Sequence, residues 1–287
     1  MRAGSMIDDR YELIRSIGVG SAAEVYSALD TQTQIKVAVK IQNLKGAKNR
    51  KLQERFLREA RTMMTLKHPN LLSVLDNGIT EKERLFLVMP LVGRGTLLSR
   101  MSSGPFPTHL QGLSVLVQLL SGMSVVHDAG IVHRDVKLAN VLVPTWDGVM
   151  LGDFGIARIS TEPTLTRADS TLGSAGYMSP EQMDDSRSVG PPADIFSLGV
   201  VLFQLMARRG APDLTLAEEQ PELLLPVPRA VRPVVAKATK VFADDRYQTA
   251  REMVEDIAKI ADGLLIATKR EPVGDAWLER FDRLRKG

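Results

Sequence analysis

The sequence has no cysteine, which excludes disulfides and thiolate metal sites and is compatible with a reducing compartment. Histidine is scarce, four in 287 residues and never as H-E-x-x-H, so no zinc site is expected. Neither sign of charge is in excess. Against 37 lysines and arginines stand 34 acidic residues, and a dispersed net charge of +3 offers no patch for nucleic acid. Long apolar runs are missing too: the longest uncharged stretches, Leu110 to Val126 and Ile195 to Ala207, fall short of the roughly 20 residues that span a bilayer. The opening MRAGSM lacks the apolar core of a signal peptide, and MRAGS reads as an expression remnant. The expectations are no membrane segment in this chain and a cytoplasmic location.

With 44% hydrophobic and 25% charged residues, the composition is that of a globular protein, long enough for one two-lobed unit or two domains. After a leader, residues 1–10, the pattern is strand-rich up to Met89: YELIRSIG, EVYSALD, IKVAVKIQ and RLFLVMP are β-favouring runs separated by turns. One helical stretch, Lys51 to Leu66, interrupts them. From Leu97 the pattern turns helical, and Leu113, Leu116, Val117 and Leu120 mark one buried helix face. Between Ile131 and Ala157 two β-like runs appear, 141–143 and 149–151. Ile195 to Ala207 is apolar nearly all round and reads as a helix buried in the second lobe. The fold class expected is α+β, a mostly antiparallel sheet followed by a helical body. Residues 263–287, with DAWLERFDRLRK among them, form an amphipathic tail with no assigned place.

Chemistry concentrates in IVHRDVKLANVLV, residues 131–143, where Asp135, Lys137 and Asn140 lie between apolar runs. Pinned at both ends, such a loop holds its polar groups in fixed directions. The plainer reading is a solvated surface turn. Further on, GDFGIAR carries Asp153 directly after an apolar strand, and an amide oxygen with a carboxylate suits Mg²⁺. In VAVK, residues 37–40, Val37, Val39 and Ile41 face one way and Ala38 and Lys40 the other, which leaves space for a flat ligand beside Lys40. On the helix, Phe56, Glu59 and Met63 share a face. Lys40 is one candidate partner for Glu59, while Arg58 and Arg61 beside it allow an ordinary surface residue. In IGVGSAAEVYS, residues 17–27, Gly18 and Gly20 fit a phosphate-cradling hairpin, but Ala23 stands where a third glycine is usual.

Taken in order, these pieces resemble the catalytic domain of a Hanks-type serine/threonine protein kinase of the bacterial kind. The resemblance covers residues 11–262 and adds SPE at 179–181, ADIFSLG at 193–199 and DDRYQTA at 244–250. It implies a bilobal fold, with an N-lobe 11–89, a hinge 90–95 and a C-lobe 96–262. The roles it implies are Asp135 as base for the substrate hydroxyl, Lys137 steadying the transferred phosphoryl group, and Asn140 and Asp153 holding Mg²⁺, with Mn²⁺ as a substitute. Lys40, fixed by Glu59, would pair with the α- and β-phosphates of ATP. Around the nucleotide the resemblance sets Ile17, Gly18, Val19, Gly20, Ser21, Ala22, Ala23, Glu24 and Val25, then Ala38, Met89, Pro90, Val92 and Leu142. Met63, Val74, His133 and Phe154 resemble the apolar spine of such domains.

A lysine two residues after Asp135 is similar to serine/threonine rather than tyrosine kinases, so the partner implied is a protein with a Ser or Thr acceptor, this chain included. Dimerisation is left open. The segment ISTEPTLTRADSTLGS, residues 159–174, offers Thr166, Ser170 and Thr171 as phosphosites facing Arg134 by resemblance. Departures from the pattern are Ala22 and Ala23 in the hairpin, Ser174 for a threonine, and a short segment 208–228 that puts substrate docking in doubt. Two other readings remain, a nucleotide-binding pseudokinase and a small-molecule kinase on a related fold.

Overall fold

The computed structural model describes residues 2–20, 23–43, 50–104, 107–145, 148–153, 175–185 and 189–267. They form two compact units, Met1–Gly93 and, in the second, Arg94–Asp153 with the described residues from 175 onward.

The first unit is a six-stranded antiparallel sheet, order β1-β2-β3-β4-β6-β5, with β1 (Met6–Ile7), β2 (Tyr11–Val19), β3 (Ala23–Asp30), β4 (Ile35–Gln42), β5 (Asp76–Ile79) and β6 (Leu85–Pro90). Its helix, α1, spans Arg50–Thr65. Strict alternation in the central strands decides what each face carries. Tyr26, Ala28, Val37, Val39, Ile41, Phe86 and Val88 all turn to one side, where Ile7, Tyr11 and Leu13 complete an apolar core. Two elements went unread in the sequence. Within the presumed leader, Met6 and Ile7 pair with Glu12 and Tyr11, and Ile7 is buried. β5 is Asp-Asn-Gly-Ile, a poor strand former, and it exists because β6 offers a register in which Gly78 sits against the Phe86 ring. A Cβ at Gly78 would lie 2.7 Å from that ring, so only glycine fits.

The second unit is mostly helical: α2 (Leu97–Ser103), α3 (His109–Asp128), α4 (Pro180–Asp184), α5 (Pro191–Ala207), α6 (Arg232–Ala238) and α7 (Ala250–Ala267). Thr96 and Thr108 open α2 and α3 with capping boxes closed by Ser99 and Gln111. α5 is buried along nearly its whole length, and α3 packs against both α5 and α7. Between α5 and α6 the approach is so close that a Cβ on Gly199 would stand 2.8 Å from Ala238. Counting uncharged residues undersold α3: at 20 residues it is long and apolar enough to cross a membrane, and the rest of this unit buries most of it. Between α5 and α6, the shortened segment folds as two 3₁₀ turns, Leu214–Leu216 and Pro221–Leu224. α7 continues past Gly263 to Ala267.

Candidate active site

In the first unit the strand register collects the predicted nucleotide residues on the face opposite the core. Gly18 lies across from Val25, Val25 from Lys40, and Ala38 from Met89. Directly paired residues project to the same face, so Gly18, Val25, Lys40, Ala38 and Met89 form a continuous patch. The hairpin before β3 is closed by Gly20 N–H donating to the Ala23 carbonyl at 2.9 Å. Neither Gly18 nor Gly20 has positive φ, and a Cβ on either would meet nothing nearer than 3.6 Å. Their value is therefore not conformational but the bare backbone they present. Ala23, buried and without positive φ, carries no strain for replacing a glycine.

Other members of the predicted set are placed differently. Glu24 pairs with Ile41 and so belongs to the core face, where its Oε2 accepts from the Tyr26 hydroxyl at 2.5 Å. That hydrogen bond lowers the pKa of its carboxyl. Ile17 and Val19 are 42% and 78% exposed. Pro90 ends β6, Val92 follows it half-buried, and Ser21 and Ala22 lie outside the described residues. Glu59 accepts from Arg55 Nε at 3.2 Å, one helical turn back. Met63 and Val74 are buried, as the spine resemblance implies.

In the second unit the short hairpin of β7 (Val141–Leu142) and β8 (Met150–Leu151) brings two distant segments to one end. Asn140 enters β7 and Gly152 leaves β8; the Gly152 N–H donates to the Asn140 carbonyl at 2.9 Å. Asp153 is next, held at φ 60°. Asp135 sits at the centre of the loop before β7. Lys137 Nζ reaches both of its carboxylate oxygens, at 3.0 and 2.9 Å, and Asn140 Nδ2 donates to its carbonyl at 2.7 Å and to Oδ2 at 2.9 Å. With Nδ2 committed to Asp135, the Asn140 oxygen is the amide atom left for a cation, which fits the proposed metal role. Among the described residues no group of three His, Asp or Glu gathers to bind a metal alone, so Asn140 and Asp153 would supply two ligands of a set completed by phosphate and water.

The loop is anchored from beneath. Asp194, fully buried in the first turn of α5, accepts the His133 N–H on Oδ2 and the Arg134 N–H on Oδ1, both at 2.8 Å, and His127 Nε2 lies 2.9 Å from Oδ2. His133 Nδ1 accepts from the Asp135 N–H at 3.3 Å, which requires the ring proton on Nε2, where it donates to the Gly152 carbonyl at 3.1 Å. Burial pushes the His133 pKa below its ordinary value despite the charges of Asp194 and Asp135, and the neutral ring keeps this bridge. Leu142, half-buried, pairs with Met150. Phe154, Thr166, Ser170, Thr171 and Ser174 lie outside the described residues.

Residues 11–265 match the protein kinase domain family. The chain belongs to the protein kinase family. It is 33% identical over 281 residues to the serine/threonine-protein kinase PknL of Mycobacterium tuberculosis, covering 93% of this chain and 70% of that one. To the serine/threonine-protein kinase PrkC of Bacillus subtilis it is 34% identical over 283 residues, 94% of this chain and 43% of PrkC. The fold matches the PknI kinase domain of Mycobacterium tuberculosis with a TM-score of 0.72 at 22% identity, covering 91% of this chain and 99% of that one. The chain thus spans less than half the length of PrkC, and its relatives are bacterial serine/threonine protein kinases. A domain of this family is a site for ATP and a divalent metal, and its substrates are proteins.

Three residues of this kinase domain escaped the sequence reading. Asp194 lay inside a recognised motif, yet nothing in ADIFSLG said that its carboxylate would hold backbone sixty residues away in the chain. Arg246, in DDRYQTA, donates through both terminal nitrogens to Glu181, at 2.7 and 2.8 Å. Gln182 donates to the Arg134 carbonyl at 2.7 Å. Asp194 and Arg246 each lay in a motif that the resemblance had singled out, ADIFSLG and DDRYQTA, and no sequence pattern pointed to Gln182.

Proposed function

We propose that this domain transfers the γ-phosphoryl group of Mg²⁺-bound ATP to Ser or Thr hydroxyls of proteins, itself included. What supports the reading is Asp135, whose carboxylate is gripped by Lys137 and Asn140 on a loop anchored to a buried aspartate. So held, it is aimed to accept the proton of an incoming hydroxyl as the oxygen attacks phosphorus. Lys137, already beside that carboxylate, is placed to follow charge as it moves onto the transferred group. Asn140 and Asp153 would hold a divalent metal ion, Mg²⁺ with Mn²⁺ as a substitute, which would supply positive charge against that of the phosphates. Lys40, which Glu59 would fix, holds the α- and β-phosphates, and the backbone of the hairpin 18–25 lies against them. Ala38, Val25, Met89 and Leu142 line the adenine, with the Pro90 carbonyl and Val92 N–H bonding its edge. Since Lys40, Asp135 and Asp153 are all present, transfer is favoured over a pseudokinase, and SPE over a small-molecule acceptor. Incubation with labelled ATP and Mg²⁺, followed by mass spectrometry of the chain and of a Ser/Thr peptide library, tests it; no phosphate on either rejects it.

The unstrained glycines give a separate expectation. Gly20→Ala leaves the melting temperature within about 1–2 °C, since the added methyl has room. It raises the KM for ATP several-fold, because the methyl stands where backbone must approach phosphate. An unchanged KM would remove the hairpin from the phosphate site.

Regulation follows from the same assignment. Phosphate on Thr166, Ser170 or Thr171 adds about −1.5 to −2 charges at neutral pH, which Arg134 is suited to pair with. Autophosphorylation between Thr164 and Thr171 is expected, with activity rising as it accumulates. Peptide mapping after ATP treatment, with Asp135→Asn as control, checks the first; peptide-kinase assays after phosphatase check the second. Phosphate only outside that segment overturns the mechanism.

A further inference from the structure

Gln182 has no part in the machinery above. It is 4% exposed in α4, and among the described residues its Oε1 accepts nothing although it is buried. Among the described residues the one side-chain bond of this amide is the one that its Nε2 donates, and a buried donor is costly to leave unpaired. That bond, 2.7 Å to the Arg134 carbonyl, falls on the peptide joining Arg134 to Asp135.

This peptide decides where the Asp135 carboxylate points. Arg134 is left-handed, φ 65°, a conformation that side-chain-bearing residues seldom take and that surrounding bonds must enforce. Its N–H is held by Asp194 Oδ1 at 2.8 Å. Beyond it, the Asp135 N–H bonds His133 Nδ1 at 3.3 Å, so of these two bonds on the peptide the 2.7 Å bond from Gln182 to the carbonyl is the tighter restraint on its plane. Rotation of the plane, through ψ of Arg134 and φ of Asp135, would swing the carboxylate away from Lys137 and Asn140. α4 makes a firm base for the restraint, because Glu181, next to Gln182, takes both terminal nitrogens of the buried Arg246.

We propose that Gln182 is a positioning residue: by bonding the Arg134 carbonyl it fixes the peptide plane that aims the Asp135 carboxylate. Its kinetic consequence rests on the phosphotransfer reading; its structural consequence does not. Gln182→Met keeps length and removes the donor, while Gln182→Glu keeps shape and turns an acceptor toward the carbonyl. In either variant kcat for peptide phosphorylation, per folded molecule, is expected to fall about tenfold or more. The KM for ATP stays within about twofold. Deuterium uptake over residues 131–137 rises while uptake within α5 does not. A purely structural glutamine would lower the melting temperature and leave kcat per folded molecule and loop exchange as in the parent. That result in either folded variant overturns the proposal. Should the parent chain itself transfer no phosphate, the phosphotransfer reading fails and loop exchange alone decides the role of Gln182.

Discussion

Asp135→Asn is expected to lower kcat by about 10²- to 10⁴-fold, the usual worth of a positioned general base, with nucleotide affinity nearly unchanged. Asparagine has the same shape, but it has no second acceptor oxygen and cannot take a proton at neutral pH. Its amide hydrogens would also face Lys137 Nζ and Asn140 Nδ2, which are donors already bonded to the carboxylate. Asp153→Asn acts at another step. A neutral amide offers a divalent cation less charge than a carboxylate, so affinity for ATP with Mg²⁺ falls while affinity for ATP in chelator stays as in the parent. Calorimetry on both variants, with and without Mg²⁺, separates base from ligand. Equal Mg·ATP affinity across Asp153→Asn and the parent would show that the metal is held elsewhere.

The elements legible in the sequence were those whose own residues determine them. Alternation in IKVAVKIQ placed Val37, Val39 and Ile41 in the core and Lys40 opposite, and all three valine and isoleucine side chains are at most 3% exposed. Periodicity likewise marked the buried face of α3. Less legible were features imposed by a partner. β5 borrows its strand geometry from β6, since Asp, Asn and Gly have little tendency of their own to extend. Glu59 was weighed against its sequence neighbours Arg58 and Arg61, whereas helix geometry sets Arg55, four residues back, beside it. That signal was available. Glu24 was assigned with the hairpin around it, but strand alternation puts it with Tyr26 instead. For Gln182, a buried amide in a five-residue helix, no pattern in the sequence could have foretold its bond to a carbonyl forty-eight residues away.

Arg246→Met is expected to destabilise the second unit strongly. The guanidinium is fully buried and all five of its N–H groups are spent: Nε on the Lys240 carbonyl, the two terminal nitrogens on Glu181 Oε1 and Oε2 and on the carbonyls of Pro192 and Val241. It also lies over the Phe196 ring, 5.1 Å from its centre. Methionine fills part of the volume but leaves three carbonyls and a half-buried carboxylate without their donor. Removing one partner of a buried pair costs about 3–5 kcal/mol, which lowers the melting temperature by roughly 6–20 °C. Glu181→Met should cost less, because the arginine keeps its three carbonyl bonds and the glutamate side chain is 31% exposed. Burial alone would raise the Glu181 pKa, and the hydrogen bonds and charge of Arg246, together with the carboxylate's other hydrogen bonds, leave the pKa lowered. The carboxylate's contribution is therefore complete above the ordinary glutamate range and is lost as pH falls through the lowered value. Between about pH 6 and pH 3 the parent should lose stability more steeply than either Arg246→Met or the double variant, neither of which retains the pair. Thermal melts across that range, with the double variant closing the cycle, measure the coupling. Equal losses in parent and variants would mean that Arg246 stabilises the fold through its backbone carbonyls alone.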